Sequence, residues 1–397
     1  MEPFKNFLNV GVAANIGSQL QRVDPGFDRR RFEALATAGL DALELKARAM
    51  QMADALEATL PAAFGEACDQ LEAALAPPWA DDRLGSEVSA PLGRDGLEGW
   101  ALWPVGEFVA RRGSANLELD VDRALQALHA ITQRFSAEFA IRPLIVAAPQ
   151  RVFETLQRWT ADPSAHVRRL VSEGSRPRLP WGLRLRALVD DPSPTLALLR
   201  ALQDDPSEYV RRSVANHLND IAKDHPDLVV AWVGEHLPDA PPARRALLRH
   251  ASRTLIKAGH APMLAAWGED RALQGRVVFQ VAPTHLSLGE SLALQVQLSS
   301  TGAQPQRLVI DYAVHHLGAD GGLRPKVFKG WTLDLAPGEP RTLRKAHPLR
   351  PVTIRRYRSG RHEVDLRING QIVARAVFDL QVPAPAPAAD PALRPAR

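Results

Sequence analysis

Apolar residues recur every three or four positions through much of the first half of the chain. The pattern is clearest over residues 121–159, where Val121 and Leu125 begin it, and it recurs over residues 27–75. Such spacing places apolar side chains on one face of an α-helix, so it predicts amphipathic helices in both stretches. Residues 77–99 between them contain four glycines and three prolines, a composition typical of a loop.

An eight-residue motif occurs twice, 43 residues apart. Asp162–Arg169 (Asp-Pro-Ser-Ala-His-Val-Arg-Arg) matches Asp205–Arg212 (Asp-Pro-Ser-Glu-Tyr-Val-Arg-Arg), and a weaker copy begins at Ala243. We expect the aspartate to cap a helix, the proline to occupy its first position, and the arginine pair to point outward. Two helices per unit of about 40 residues is the period of a HEAT-like solenoid, which would align the arginine pairs on one surface.

From Gly275 onward, apolar and polar residues alternate. Leu292 and Leu294, for example, are flanked by small or polar residues, and Asn369-Gly370 stands between two alternating runs. Alternation predicts half-buried strands, and an Asn-Gly pair between two of them is a strong signal for a tight hairpin. About seven such runs in roughly 105 residues are typical of an immunoglobulin-like β-sandwich.

The sequence therefore predicts a multidomain α plus β protein: a HEAT-like α-helical solenoid followed by an immunoglobulin-like β-sandwich. We place the helical domain at residues 1–272 and the sandwich at residues 273–382. Residues 383–397 are rich in proline and alanine, and we expect them to form a disordered tail.

Charge is distributed unevenly along the chain. The count of Lys and Arg minus Asp and Glu is −8 for residues 1–141, +5 for residues 142–261 and +7 for residues 276–382. A basic region of this kind is typical of a protein that binds a polyanion. An arginine-rich composition also produces a basic surface without any such partner.

Several classes of protein are disfavoured. The single cysteine, Cys68, excludes an internal disulfide and suits a reducing compartment. The N-terminal residues show no secretory signal, and no run of about 18 apolar residues is present, so we expect a cytoplasmic protein without a membrane span. Phosphate-binding loops, dinucleotide-binding turns and metal-ligand spacings of histidine are missing from the sequence, so we expect no cofactor and no metal.

Two carboxylates stand out by their context. Glu107 follows Trp103 by four residues, and Pro104 is expected to start a helix there. The simpler explanation of Glu107 is a favourable interaction with the positive N-terminus of that helix. Glu138 lies among aromatic residues, and its simpler explanation is an ion pair with Arg142 on the same helix face.

Arginines of the helical region are candidate contacts to nucleic acid. The segment Arg176–Trp181 holds two arginines between prolines and ends in an aromatic ring, which suits phosphate contact and base stacking. Each arginine pair of the repeats could instead be a solvated helix face. The candidate DNA-binding residues of this region are Arg142, Arg168, Arg169, Arg176, Arg178, Arg211, Arg212, Arg244 and Arg245.

Taken in order, these motifs resemble a known family. Trp-x-x-x-Glu, Ser-Ala-Glu-Phe-Ala-Ile-Arg-Pro, the Asp-Pro-Ser-x-x-Val-Arg-Arg repeats and Arg-Pro-Arg-Leu-Pro-Trp look like the alkylpurine DNA glycosylases built from HEAT-like repeats. The similarity is greater to the AlkC-type branch, some members of which carry a C-terminal immunoglobulin-like domain. It covers residues 1–382, and its specific parts are the two-domain organisation and residues 100–216.

The resemblance implies a monofunctional DNA glycosylase of base excision repair. Such an enzyme would hydrolyse the N-glycosidic bond of cationic alkylated bases, of the 3-methyladenine or 3-methylcytosine type, without full base flipping. Its partner would be double-stranded DNA, and we expect a monomer. One carboxylate could both stabilise an oxocarbenium-like sugar and place the attacking water.

The same resemblance assigns roles to individual residues. In the sister branch a Trp and a catalytic Asp are separated by four positions, and Trp103 and Glu107 have that spacing here. This makes Glu107 the first candidate for the catalytic carboxylate and Glu138 the second. Aromatic faces can hold a cationic base, and the candidates for that contact are Trp103, Trp159 and Trp181.

The β-domain is expected to contact the far side of the duplex, as the second half of a clamp. Its candidate residues are Lys326, Lys329, Arg355, Arg356 and Arg358. Two other interpretations stay open at this point: a non-catalytic HEAT-repeat scaffold that binds DNA or protein, and a helical-repeat module that binds RNA.

Overall fold

The computed structural model describes residues 4–79, 96–352 and 355–383. The predicted loop at 77–99 therefore lies mostly outside the described residues, and the predicted tail at 383–397 lies almost entirely outside them.

The chain divides into two compact units between Ser252 and Arg253. The division precedes the domain boundary that we predict at residue 272, and it places the last two helices with the strands.

The first unit is helical, as the apolar periodicity predicts. Short 3₁₀ turns occur at Phe4–Phe7, Leu40–Ala42 and Gly99–Ala101. The α-helices are α1 (Val10–Val23), α2 (Arg29–Thr37), α3 (Leu45–Thr59), α4 (Phe64–Ala73), α5 (Leu102–Ala115), α6 (Val121–Thr132), α7 (Ile141–Ala147), α8 (Pro149–Trp159), α9 (Ala165–Gly174), α10 (Arg186–Asp190), α11 (Ser193–Leu202), α12 (Glu208–Ile221), α13 (Pro226–His236) and α14 (Pro242–Ala251).

The two copies of the repeated motif begin α9 and α12, but not in the predicted way. Asp162 Oδ1 accepts a hydrogen bond from the backbone N–H of Ser164 at 2.8 Å, and the residue before α9 is Ser164 rather than Asp162. Because the aspartate closes a turn one step before the helix, Pro163 lies outside the helix. The prediction that aspartate is the cap and proline the first helical residue is wrong.

Helix α5 lies at the centre of the first unit. Most of its side chains are buried, among them Val105, Phe108 and Val109. It packs against α3 and α6, and Gly113 gives α6 close access because a Cβ at this position would collide with Ala124. A helix packed on several sides holds its polar side chains in fixed places, and Glu107 is one of them.

The second unit contains two short helices and a β-sandwich. One sheet has the strand order β1-β3-β6, and the other has the order β2-β8-β7-β4-β5. The described elements are α15 (Arg253–Ala258), α16 (Ala261–Ala266), β1 (Gly275–Ala282), β2 (His285–Ser287), β3 (Ser291–Ser300), β4 (Gln306–Leu317), β5 (Leu323–Leu335), β6 (Pro340–Pro348), β7 (Gly360–Ile368) and β8 (Gln371–Gln381).

The alternating residues of the strands form the core between the two sheets. Leu292 and Leu294 of β3 face Val364 of β7 in one apolar cluster. The Asn369-Gly370 pair forms the predicted hairpin between β7 and β8, and both residues have positive φ, 50° and 77°, as a two-residue turn of this kind requires. The immunoglobulin-like sandwich is confirmed, with the three-residue strand β2 in addition to the predicted runs.

Candidate active site

Glu107 lies in the second turn of α5, because that helix begins at Leu102 and not at Pro104. The helix dipole acts mainly within the first turn, so it does not explain this carboxylate. The indole Nε1–H of Trp103 donates a hydrogen bond to Glu107 Oε1 at 3.0 Å. Trp103 is buried and Glu107 is half-buried, so the indole fixes one carboxylate oxygen while part of the group stays accessible.

Aromatic rings surround this pair, and we call the set Phe7, Trp100, Trp103, Phe135 and Phe139 the aromatic wall. Trp103 is stacked on Phe139, with ring centroids 5.3 Å apart. Trp100 contacts Trp103 at 5.8 Å and is stacked on Phe7 at 4.9 Å. The indole Nε1 of Trp100 is buried and has no hydrogen-bond partner among the described residues. The wall thus joins the N-terminal turn, α5 and the segment before α7.

Glu138 is held by different partners from those that the sequence predicts. Its Oε2 accepts a hydrogen bond from the Ser136 hydroxyl at 2.8 Å and lies 2.9 Å from Nη2 of Arg169. The alternative of an ion pair with Arg142 is wrong, because that guanidinium donates to the carbonyls of Gly174 and Leu183 instead. Phe139, the next residue, belongs to the aromatic wall, so Glu138 and one ring of the wall are carried by the same segment between α6 and α7.

A buried chain of alternating charges extends from Glu138, and we call Glu138, Arg169, Glu173, Arg176 and Asp220 the Glu138 network. Arg169 lies 3.8 Å from Glu173, which pairs with Arg176 at 2.6 Å, and Arg176 pairs with Asp220 at 2.8 Å. Burial alone would lower the pKa of Arg169, but the neighbouring charge of Glu138 raises it above its usual range. Burial would likewise raise the pKa of Glu173, but Arg169 and Arg176 lower it.

Arg142 is fully buried and offers no surface to a phosphate. Burial lowers the pKa of its guanidinium to about 10, and the charge of Arg176 adds to that shift. Its two hydrogen bonds to backbone carbonyls join the end of α9 to the segment after Trp181. The position is that of a structural arginine.

The arginines of the repeats do not all point outward as we expect. Arg168 forms a bidentate pair with Asp205, and its side chain is only 13% exposed. Arg169 is turned toward Glu138. The prediction is therefore wrong for the first copy of the motif, because each arginine has a carboxylate partner from another element.

The other candidate arginines of the helical unit differ in exposure. Arg176 belongs to the Glu138 network, Arg178 pairs with Asp224 at 2.6 Å, and Arg244 pairs with Asp204. Arg211 donates to the carbonyls of its own turn, whereas Arg212 is 52% exposed and lies 3.6 Å from Glu208. Arg245 is exposed as well.

The two remaining candidate tryptophans contact other rings than Trp103. Trp159 contacts the ring of His129 at 5.3 Å, and His129 Nε2 is 2.7 Å from Asp162. Trp181 is 74% exposed, has φ of 63°, and meets Phe4 edge-on at 6.3 Å.

The basic candidates of the sandwich lie at or near its surface. Lys326, Lys329, Arg356 and Arg358 are exposed, and Arg355 is half-buried. Lys326 and Lys329 belong to β5, the outermost strand of the five-stranded sheet.

Two further properties concern the described residues as a set. No three His, Cys, Asp or Glu side chains among them are grouped so that they could hold a metal ion. None of the helices they form has the length and apolar character that a membrane span requires.

Comparison with known proteins gives matches over both units. Residues 132–255 match the family described as DNA alkylation repair enzyme, and residues 276–382 match the C-terminal Ig-like domain of the uncharacterised protein YhaZ. YhaZ of Bacillus subtilis (strain 168) is 33% identical over 388 residues, which is 96% of this chain and 100% of that protein.

A solved structure is similar over the same length. It is that of the Pseudomonas fluorescens alkylpurine DNA glycosylase AlkC bound to DNA containing an abasic site analog. It matches with a TM-score of 0.85 and 34% identity, and the match covers 96% of this chain and 100% of AlkC. The chain belongs to the AlkC-type family of DNA alkylation repair proteins.

Within this AlkC-type chain, the match to the repair-enzyme family includes Glu138 and Arg169, whereas Glu107 lies before it. The sequence makes Glu107 a candidate through a local spacing, and it gives no sign of several residues that contact the candidate residues from other elements. Phe7, Ser136 and Tyr209 are examples. The four-residue spacing of Phe135 and Phe139 is no guide to the aromatic wall, because the segment between α6 and α7 that carries them is not helical.

Proposed function

We propose that this protein is a monofunctional DNA glycosylase of base excision repair that releases cationic alkylated bases from double-stranded DNA. One observation carries the proposal: the chain is similar along nearly its whole length to an alkylpurine DNA glycosylase that was solved with abasic DNA. The two candidate carboxylates and the aromatic wall support it, because the reaction needs negative charge near the sugar and aromatic faces near the cationic base.

The reaction makes limited demands on the protein. A purine alkylated on a ring nitrogen is cationic and leaves without being protonated, so no general acid is required. As the bond breaks, positive charge develops on the sugar, and a fixed carboxylate can stabilise it and orient a water molecule. Aromatic faces favour the cationic base over its neutral parent, and neither step requires the base to leave the duplex fully.

We assign the principal role to Glu107 and a second role to Glu138. Trp103 fixes Oε1 of Glu107, and Oε2 receives no hydrogen bond from the described residues. Ser136 and Arg169 both act on Oε2 of Glu138. Each carboxylate thus keeps one oxygen available for the sugar or the water.

Contact with the DNA backbone is assigned to the more exposed basic residues. Phosphate binding needs positive charge that is not already neutralised by a buried carboxylate. Arg212 of the helical unit satisfies this better than Arg168 or Arg176, and Arg245 is a candidate on its exposure alone. In the sandwich the same argument favours Lys326, Lys329, Arg356 and Arg358.

The test is release of free base from a duplex that contains a single 3-methyladenine or 3-methylcytosine. We expect wild-type protein to release at least one of them, and Glu107→Gln to lower the single-turnover rate by about 10²–10³-fold because it removes the transition-state charge. Glu154→Gln, which changes an exposed carboxylate of α8, serves as the matched control. Wild-type protein that binds DNA but releases neither base would establish the scaffold interpretation instead.

A further inference from the structure

Arg169 is one of the arginines that the sequence suggests as a DNA contact, yet its surroundings indicate another role. We propose that Arg169 is a positioning residue, which holds the carboxylate of Glu138 in one orientation for the glycosylase reaction. The inference rests on the proposed function, since it gives Glu138 a catalytic part.

The contacts on the Glu138 side form a closed triangle. Arg169 Nη2 lies 2.9 Å from Glu138 Oε2, and Arg169 Nη1 donates to Ser136 Oγ at 2.9 Å. The Ser136 hydroxyl in turn donates to the same Oε2 at 2.8 Å. The guanidinium thus fixes the position of Oε2 directly through Nη2 and indirectly through the serine hydroxyl that Nη1 orients. Both contacts to the carboxylate fall on Oε2, and Oε1 accepts no hydrogen bond from the described residues, so we assign Oε1 to the ligand.

Further contacts hold Arg169 itself in place. Its guanidinium lies over the ring of Tyr209, 4.9 Å from the centroid, and 3.8 Å from Glu173. Glu173 is fixed by Arg176 and by the hydroxyl of Ser213, each at 2.6 Å. The restraint on Glu138 is therefore anchored in both α9 and α12, the two helices of the repeats.

The same contacts argue against a phosphate ligand. Only 17% of the Arg169 side chain is exposed. A swing toward a phosphate would leave the largely buried Glu138 without its cation, while Glu173 would keep Arg176, and the loss at Glu138 is unfavourable. A fixed Arg169 costs nothing in reorganisation when positive charge develops on the sugar, and this is the property that a positioning residue needs.

The experiment compares Arg169→Gln, Arg169→Lys and Glu138→Gln with the double variant Glu138→Gln/Arg169→Gln. We expect Arg169→Gln to lower the single-turnover rate by about 10²-fold, since a misplacement of about 1 Å has that effect. Arg169→Lys should recover part of it. If Arg169 acts through Glu138, the double variant should be no slower than Glu138→Gln alone.

The control and a second readout separate positioning from stability and from DNA contact. Arg123→Gln removes an arginine that pairs with Glu72 and Asp69 away from the site, and it should lower stability with excision unchanged. All assays are made at a temperature at which each variant retains native circular dichroism. The affinity of Arg169→Gln for a duplex with an abasic site analog should keep the wild-type dependence on salt, because no phosphate contact is lost.

Each outcome decides one question. Additive losses in the double variant, or a salt slope that falls by about one, would overturn the positioning role while leaving the glycosylase intact. Wild-type protein without excision would overturn the glycosylase proposal and this inference together.

Ser136→Ala offers a milder test if Arg169→Gln does not fold. It removes one side of the triangle without leaving a charge unpaired. We expect a several-fold loss of rate that disappears in the Glu138→Gln background, and a loss that persists there would contradict the inference.

Discussion

Arg169 and Arg212 occupy the same position in two copies of one motif, yet they have opposite environments. Arg169 is largely buried between Glu138 and Glu173 and lies over Tyr209. Arg212 is 52% exposed, and its partner Glu208 at 3.6 Å is 77% exposed. The motif determines the backbone position of each arginine, but the neighbouring elements determine which groups its side chain contacts.

The difference arises from the segment between α6 and α7. That segment carries Ser136 and Glu138 to Arg169, whereas the partner of Arg212 lies on its own helix, four residues earlier. Repetition alone therefore predicts two equivalent surface arginines and gives no account of the buried one. Five substitutions in α9 and α12 test this contrast in four comparisons, in order of decreasing effect.

The largest effect is expected at the motif position that Arg169 and Arg212 share. Arg169→Gln should lower the free energy of unfolding by about 4 kcal/mol, because it leaves the largely buried Glu138 without a cation and Glu173 with Arg176 alone. Arg212→Gln should change it by less than about 0.5 kcal/mol, as is usual for an exposed pair. Urea unfolding of both variants measures the difference, and equal losses would contradict the contrast.

The preceding arginine of each copy should show a smaller difference. Arg168 pairs with Asp205, whose side chain is 3% exposed, whereas Arg211 donates only to the carbonyls of Asp205 and Pro206. We expect losses of about 3 kcal/mol for Arg168→Gln and about 1 kcal/mol for Arg211→Gln. The order of the two urea midpoints is the readout. A reversed order would mean that the ion pair between Arg168 and Asp205 contributes little to stability.

A third difference concerns pH, because α12 has His217 where α9 has Gly174. Burial lowers the pKa of His217 to about 4, despite its hydrogen bond to the Ser172 carbonyl. The folded state therefore excludes a proton that the unfolded chain binds below about pH 6.5, so stability falls as the pH drops from 6.5 toward 4. Between pH 7 and pH 5 the loss should be about 2 kcal/mol. His217→Asn should flatten this part of the stability profile, and an unchanged profile would exclude His217 as its origin.

The smallest effect is electrostatic. If Arg212 contacts a phosphate, Arg212→Gln should lower the slope of log affinity against log salt by about one, and weaken binding equally for damaged and undamaged duplex. Fluorescence anisotropy at several salt concentrations measures this. A slope equal to that of wild-type protein would remove Arg212 from the interface.

Features that depend only on residues close together in the sequence were predictable. The alternation around Leu292 and the Asn369-Gly370 pair act through the local backbone, and both lead to the observed strands and hairpin. The spacing of Trp103 and Glu107 is likewise local, since side chains four residues apart on a helix are neighbours.

Contacts between distant residues were not predictable in the same way. Besides Glu173, Arg169 pairs with Glu138 and Arg176 pairs with Asp220, which lie 31 and 44 residues away along the chain. Nothing in the sequence around these arginines distinguishes them from surface arginines. Phe7 enters the aromatic wall from the N-terminal turn by packing alone. Periodicity indicates which face of an element is buried, but it does not identify the residue on the other side.

Trp181 combines a strained backbone with an exposed side chain. A non-glycine residue in the left-handed region, here with φ of 63°, is strained by roughly 1 kcal/mol. Three-quarters of its surface is also in water, so folding by itself would favour glycine at this position. The free protein is thus less stable than it would be with glycine at this position. A ligand that covered the indole would bury apolar surface that folding leaves exposed. At this residue, a stable fold and an exposed aromatic surface favour different amino acids.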